Sequence, residues 1–172
     1  MTTDTLSYAT FATPIGPFTV LADEHEVVHA AGFTDDPAFL VGMLPGDTAD
    51  PPPSASGHQA IADRVADYFA GRLGALDDVA IAYRPTGPFR TAAWDAMRQV
   101  KPGRTVSYTD LATTAGNPTA IRAAGSACAS NPIALFVPCH RVVRSDGSSK
   151  GFLYGLECKA DLLAHERAHA ED

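Results

Sequence analysis

Hydrophobic and polar positions alternate with a period of two near the start of the chain and recur at helical spacing over much of the rest. In FATPIGPFTVLADEHEVVHAAGF, Phe18, Val20 and Ala22 alternate with Thr19 and Leu21, while residues 14–17 and 23–26 carry turn chemistry. This predicts a small antiparallel sheet. A loop with Pro51, Pro52 and Pro53 and a Ser/Gly cluster through Gly57 comes next. Ile61, Val65, Tyr68 and Phe69 then mark a helix, ended by Gly71, able to cover one face of that sheet. Val79, Ile81 and Tyr83 suggest one more strand, and RPTGP places a domain boundary near Pro85. The expected domains are 1–85 and 86–172.

In the second domain Phe89, Ala93, Met97 and Val100 form an apolar helical stripe stopped by KPG. A short helix over Tyr108–Ala115, a turn at Gly116-Asn117-Pro118 and a second helix over Thr119–Ala129 read as a helix-turn-helix. A last helix is expected with Leu156, Ala160 and Leu163 on its apolar face, and with a frayed tail from Arg167. No internal repeat is visible. The fold class expected is therefore α/β: an N-terminal antiparallel sheet with a helix, then a mostly helical C-terminal domain.

Composition narrows the picture. With 172 residues, 45% hydrophobic and 19% charged, the chain is neither disordered nor a long multidomain machine. It has no apolar run of membrane-spanning length, and MTTDTLSYAT lacks a signal-peptide pattern, so a cytosolic protein is expected. Three cysteines, Cys128, Cys139 and Cys158, are too few for a disulfide scaffold and form no CxxC pair, so free thiols and no metal site are expected.

The net charge of −7 hides an asymmetry. Residues 1–80 carry 2 basic and 12 acidic side chains, residues 81–150 carry 9 and 3, and residues 151–172 carry 2 and 5. The middle segment suits an anionic partner. Within it, TAIRAAGSACAS holds almost only small residues after Arg122. Two readings stay open from pattern alone: a helix packed closely on a neighbour, or one whose backbone approaches a nucleic-acid groove.

LFVPCHRVV places Cys139 and His140 after an apolar run and a proline. A free thiol, with pKa about 8.5, is mostly protonated at neutral pH, so a reactive one needs a base or a cation nearby. His140 is adjacent in an extended chain and reaches the thiol more readily through one water, oriented by a carboxylate. Glu166 in LLAHE is the candidate carboxylate; its alternative is a solvated surface glutamate.

NPIALFVPCHRVV, preceded by VSYTDLA and IRAAG and followed by LLAHE, resembles the O6-alkylguanine-DNA alkyltransferases, also called methylated-DNA–protein-cysteine methyltransferases. Looser similarity extends back to TPIGPFTVLA, so the resemblance covers nearly the whole chain. It implies a ribonuclease-H-like N-terminal domain and a winged helix-turn-helix-like motif. It also implies irreversible, single-turnover transfer of an O6-alkyl group from guanine in double-stranded DNA to Cys139, with no cofactor. His140, through a water, and Glu166 would deprotonate Cys139. Asn131 would hold the turn before the active-site strand, and Tyr108 would assist nucleotide rotation and protonate the departing base.

By the same resemblance Arg122 would fill the space of an extruded nucleotide, because the lesion must leave the stack before chemistry can reach it. Its helix would enter the minor groove with Thr119, Ala123, Ala124, Gly125 and Ser126, binding as a monomer. Val137, Pro138, Ala134 and Tyr154 would form the substrate pocket. The chain departs from many members in reading GFLYGLECK after the active site, nearer the GYRWG pattern of Ada-type bacterial members. Tyr154 would then narrow the pocket in favour of methyl groups, while Cys128 and Cys158 would be packing residues. A lesion-binding protein that transfers nothing and a Cys-His hydrolase are the rival classes.

Overall fold

The computed structural model describes residues 5–149 and 151–170; the first four residues read as part of the N-terminal pattern lie outside this range. The chain forms two compact units, residues 1–84 with 132–136, and residues 85–131 with 137–172. The second unit thus has a break where a five-residue segment joins the first.

In the first unit, β1 (Ser7–Thr13), β2 (Gly16–Ala22) and β3 (Val28–Gly32) form an antiparallel sheet in the order β1-β2-β3. The register pairs Tyr8 with Leu21 and Phe11 with Phe18, around a turn that Gly16 permits at φ +120°. The alternation expected along β2 does not sort buried from exposed positions. Every residue from Phe18 to Ala22 is buried, because this central strand is covered on both faces. On one face Leu21 and Ala30 pack with Leu6, Leu40 and Leu44. Leu40 belongs to α1 (Pro37–Val41), a short helix missed by the sequence pattern and capped by Asp36, whose carboxylate accepts the Ala38 N–H. Around Phe18 the rings of Phe11, Phe33 and Phe136 gather, the nearest centroid being that of Phe33 at 4.9 Å.

Short segments cover both sheet edges, as edge strands require. On β1, the Tyr8 N–H donates to Pro52 O and Tyr8 O accepts the Ser54 N–H. The outer edge of β3 is shared. Val28 exchanges hydrogen bonds with Ala80 and Ala82, and Ala31 with Pro132 and Ala134. Residues 79–83 therefore make a single bridge at Ile81 rather than the expected strand. The helix α2 (Gln59–Phe69) buries Ile61, Val65 and Tyr68 and is followed by a 3-10 segment, Leu73–Asp78.

The second unit begins with α3 (Pro88–Arg98), whose proline at the first turn fits a helix start. A two-residue strand, β4 (Val106–Ser107), leads into α4 (Tyr108–Thr114). Ser107 caps α4 in a reciprocal box with Asp110. After the turn comes α5 (Ile121–Ala129), which starts two residues later than expected. The Asn117 side chain accepts from both the N–H and the hydroxyl of Thr119, holding Thr119 in the turn. The Trp94 ring N–H on α3 anchors α5 through Ala127 O at 2.9 Å.

A 3-10 turn, Cys139–Arg141, runs into β5 (Val142–Val143), which pairs in parallel with β4. The chain closes with α6 (Leu156–His169), which continues as helix past Arg167; residues 171 and 172 of the tail expected to fray lie outside the described range. Its buried face is Cys158, Lys159, Leu162, Leu163 and Glu166; of the expected Leu156, Ala160 and Leu163, Leu163 alone belongs to it. Leu156 is 53% exposed. The pattern misleads here because two charged residues, each with partners, occupy inward positions at i and i+7. Among the described residues, no helix is long and apolar enough to cross a membrane.

Candidate active site

The parallel pairing of β4 with β5 fixes the centre of the second unit. Val106 faces Val142 and Ser107 faces Val143, so Tyr108, one residue beyond β4, and Cys139, three residues before β5, come to the same cavity. That cavity has a volume of about 750 Å³, within the range of small-molecule sites. Arg122, Gly125, Ser126 and Cys128 reach it from α5, Arg144 and Ser145 from the turn after β5, and Lys159 from α6.

Cys139 is held by its own backbone. Its N–H donates to Val137 O at 2.8 Å, and Arg141 N–H donates to Pro138 O at 3.0 Å. Val137 O also accepts from the Asn131 side-chain amide at 2.8 Å, so Asn131 clamps the point where the chain re-enters the unit. Burial pushes the Cys139 thiol up, while a hydrogen bond from Asn131 and the charge of Lys159 act in the opposite direction.

Behind the thiol lies a buried charged cluster. The Glu166 carboxylate accepts from the His140 ring at Nε2 at 2.8 Å, and from Nε and Nη2 of Arg141, both at 2.8 Å. Arg141 also donates through Nη1 to Val100 O. Burial opposes ionisation of Glu166, yet the Arg141 and His140 hydrogen bonds and charges outweigh it and hold the carboxyl well below its usual range. Because an ionised carboxylate only accepts, His140 carries its proton on Nε2. Nδ1 is then an acceptor, and it is buried with no hydrogen-bond partner among the described residues. Burial also lowers the His140 pKa against the raising effect of Glu166, favouring a neutral imidazole.

Lys159 was not visible as a site residue in the sequence. It is buried on α6, donates to Val142 O at 2.7 Å and lines the cavity. Burial lowers its pKa, and the charges of Cys139 and Cys128 act to raise it. The available signal was spacing: Lys159 and Glu166 lie seven apart, on one helix face. Arg141 was likewise missed, although it sits beside His140 in the same motif. Tyr108, whose phenol burial pushes up to about 12, stays protonated at neutral pH; charge on Cys128 and Cys139 adds to this and Arg144 opposes it.

Other expected residues fall elsewhere. Ala124 is fully buried, packed inward with Ala127, so it presents no side chain to a groove. Arg122, Ala123 and Ser126 are exposed and Gly125 is half-buried. The close-packing reading of the small-residue helix therefore fits the face of Ala124 and Ala127, while the opposite face is exposed. Thr119 is exposed but bonded to Asn117. Of the four expected pocket residues none lines the cavity: Val137 and Pro138 are buried and frame Cys139 through their carbonyls, and Ala134 belongs to the first unit, bonded to Ala31. Tyr154 packs edge-on against Phe152, with ring centroids 5.9 Å apart, and the wall is made by Gly151, Phe152 and Leu153 instead. Cys128, expected to be a packing residue, lines the cavity. Among the described residues, no group of three or more His, Cys, Asp or Glu side chains is placed to hold a metal ion.

A small sheet-containing unit followed by a helix-turn-helix unit that encloses a cysteine beside a His–Glu pair defines a class. The ribonuclease-like domain of 6-O-methylguanine DNA methyltransferase matches residues 6–83, and the DNA binding domain of the same family matches residues 88–168. The chain belongs to the 6-O-methylguanine DNA methyltransferase family. It is 35% identical over 158 residues to the methylated-DNA–protein-cysteine methyltransferase of Salmonella typhimurium, covering 90% of this chain and 92% of the relative. It is 34% identical over 161 residues to the protein of that name from Methanosarcina acetivorans, covering 92% and 97%. The solved structure of Mycobacterium tuberculosis OGT in complex with DNA superposes with a TM-score of 0.80 at 31% identity, covering 95% of this chain and 94% of that one.

Proposed function

We propose that this chain repairs DNA by moving the alkyl group of O6-alkylguanine onto Cys139, once per molecule. The observation that carries this reading is a buried cysteine on the wall of a cation-bearing cavity, next to a histidine whose acceptor nitrogen has no hydrogen-bond partner among the described residues. The Cys139 proton passes through a water to His140 Nδ1, and the imidazolium so formed is stabilised by Glu166. The sulfur attacks the saturated carbon in line, the S–C bond forms as the C–O6 bond breaks, and the electron pair leaves on guanine. Tyr108, held protonated, supplies a proton to the departing base. The products are guanine and a thioether, which water does not reverse.

Lys159 supports the same step through its charge. Glu166 is balanced by Arg141, so before proton transfer the cluster with neutral His140 has no net charge, and after it the His140 imidazolium is the counter-ion of the thiolate. The Lys159 ammonium on the cavity wall adds a positive charge that favours the ionised form of Cys139 against burial. Asn131 holds the loop that presents Cys139. Arg122 enters the duplex from the exposed face of α5, with Thr119, Ala123, Gly125 and Ser126 toward the minor groove, and the protein acts as a cytosolic monomer.

The test is intact-protein mass after incubation with excess duplex containing O6-methylguanine, followed by peptide mapping. One methyl increment on Cys139 is expected, and no more on longer incubation. Continued turnover without a mass increment would indicate the hydrolase class instead. A lesion bound and left intact would indicate a lesion-binding protein.

A further inference from the structure

The turn after β5 carries a cation that touches the chemistry above only through its charge on Tyr108. Arg144 is exposed and lines the same cavity as Tyr108 and Cys139. The turn is held by local bonds: Arg144 N–H donates to Ser148 O at 2.9 Å, and Gly147 N–H donates to Arg144 O at 2.8 Å, with Gly147 at φ +85°. The acidic group of the turn, Asp146, is engaged elsewhere. Its Oδ1 accepts from the N–H of Ser148 at 2.9 Å and from its hydroxyl at 2.6 Å, while Arg144 acts on it only as a nearby charge.

We propose that Arg144 grips the DNA phosphodiester backbone next to the nucleotide that occupies the cavity. This rests on the alkyl-transfer reading. A base that reaches Cys139 from a duplex brings its flanking phosphates to the cavity rim, because they are covalently tied to it. Among the described residues the arginines lining the cavity are Arg122 and Arg144; Lys159 is buried within, bonded to Val142. If Arg122 fills the gap left in the base stack, it is not available to a phosphate. Arg144 is then a rim cation placed to meet one, and its planar fork suits two phosphate oxygens at once. The tied turn presets its backbone before DNA arrives, which lowers the ordering cost of the contact.

Single-turnover transfer is compared for the full chain and for Arg144→Ala and Arg144→Lys, on O6-methylguanine duplex and on free O6-benzylguanine. In Arg144→Ala the ratio of duplex rate to free-base rate should fall about tenfold, and the slope of log affinity against log salt should become shallower by about 0.9. Uncharged methylphosphonates are then placed singly at the phosphates flanking the lesion. One position should slow the parent chain about tenfold and add no further loss in Arg144→Ala, and lysine should restore part of the rate. Equal slowing of the two proteins at every position, or an unchanged duplex-to-free-base ratio, would overturn the proposal and leave alkyl transfer standing. A parent chain that takes up no methyl group would instead remove the reading on which it rests.

Discussion

Arg141 and Glu166 form a two-pronged ion pair inside the second unit, Nε to Oε1 and Nη2 to Oε2, each at 2.8 Å, with Glu166 fully buried. The pair joins the residue after His140 to the last turns of α6, so the histidine and its carboxylate are positioned by one interaction. A buried pair is costly to break from one side, since the remaining charge loses its counter-ion.

Glu166→Gln should therefore lower stability by about 3–5 kcal/mol, measured by denaturant unfolding. It should also alter the acid limb. The Glu166 carboxyl titrates well below its unfolded value of about 4.3, so its contribution is complete above that pH and is lost as the pH falls toward the folded value. His140 is kept neutral by burial, and below about pH 6.5 the unfolded chain takes up a proton that the folded chain refuses. Both effects act in the same direction. The melting temperature should decline below about pH 6.5 and more steeply below about pH 4.3, with a shallower acid limb in Glu166→Gln.

Replacing Lys159 by Met removes the cation on the Cys139 wall and keeps an aliphatic stem of similar size. Iodoacetamide labelling of Cys139 at pH 7 should slow about tenfold, and its midpoint should move about one pH unit upward. Lys159→Arg should recover part of the loss. A purely structural role would lower the melting temperature without moving the labelling midpoint.

Arg122→Ala should slow transfer from duplex DNA more than reaction with free O6-benzylguanine, which needs no extrusion. Parallel rate measurements decide it, with Cys139→Ser as the non-transferring control that still folds and binds DNA. Equal losses on both substrates would deny Arg122 a role in opening the duplex.

Gly103 sits at φ +86°, and a Cβ there would collide with the Ala170 side chain beyond α6. Gly103→Ala should cost about 1–3 kcal/mol through strain and overpacking. Circular-dichroism melts would register this, and an unchanged melting temperature would mean that the end of α6 yields without cost.

Local chemistry was readable directly in the chain. Turn residues placed the β1-β2 hairpin, Asn117-Pro118 the turn between α4 and α5, and the Pro-Cys-His motif the candidate nucleophile, because each depends on residues close in sequence. The α1 cover on the sheet escaped because five residues are too few to show helical periodicity. The burial of β2 on both faces escaped because alternation reports one covered face only. The buried face of α6 was misassigned since hydrophobicity places charges outside, whereas Lys159 and Glu166 find partners more than fifteen residues away. Only the tertiary structure could decide which residues share the cavity. Cys128, Arg144 and Lys159 reach it from three separate elements, and Ala134, five residues before Cys139, departs into the other unit. Sequence by itself singled out the candidate nucleophile and determined the family to which the chain belongs; packing over long separations determined the charges around Cys139, because electrostatic partners are set by distance in space rather than along the chain.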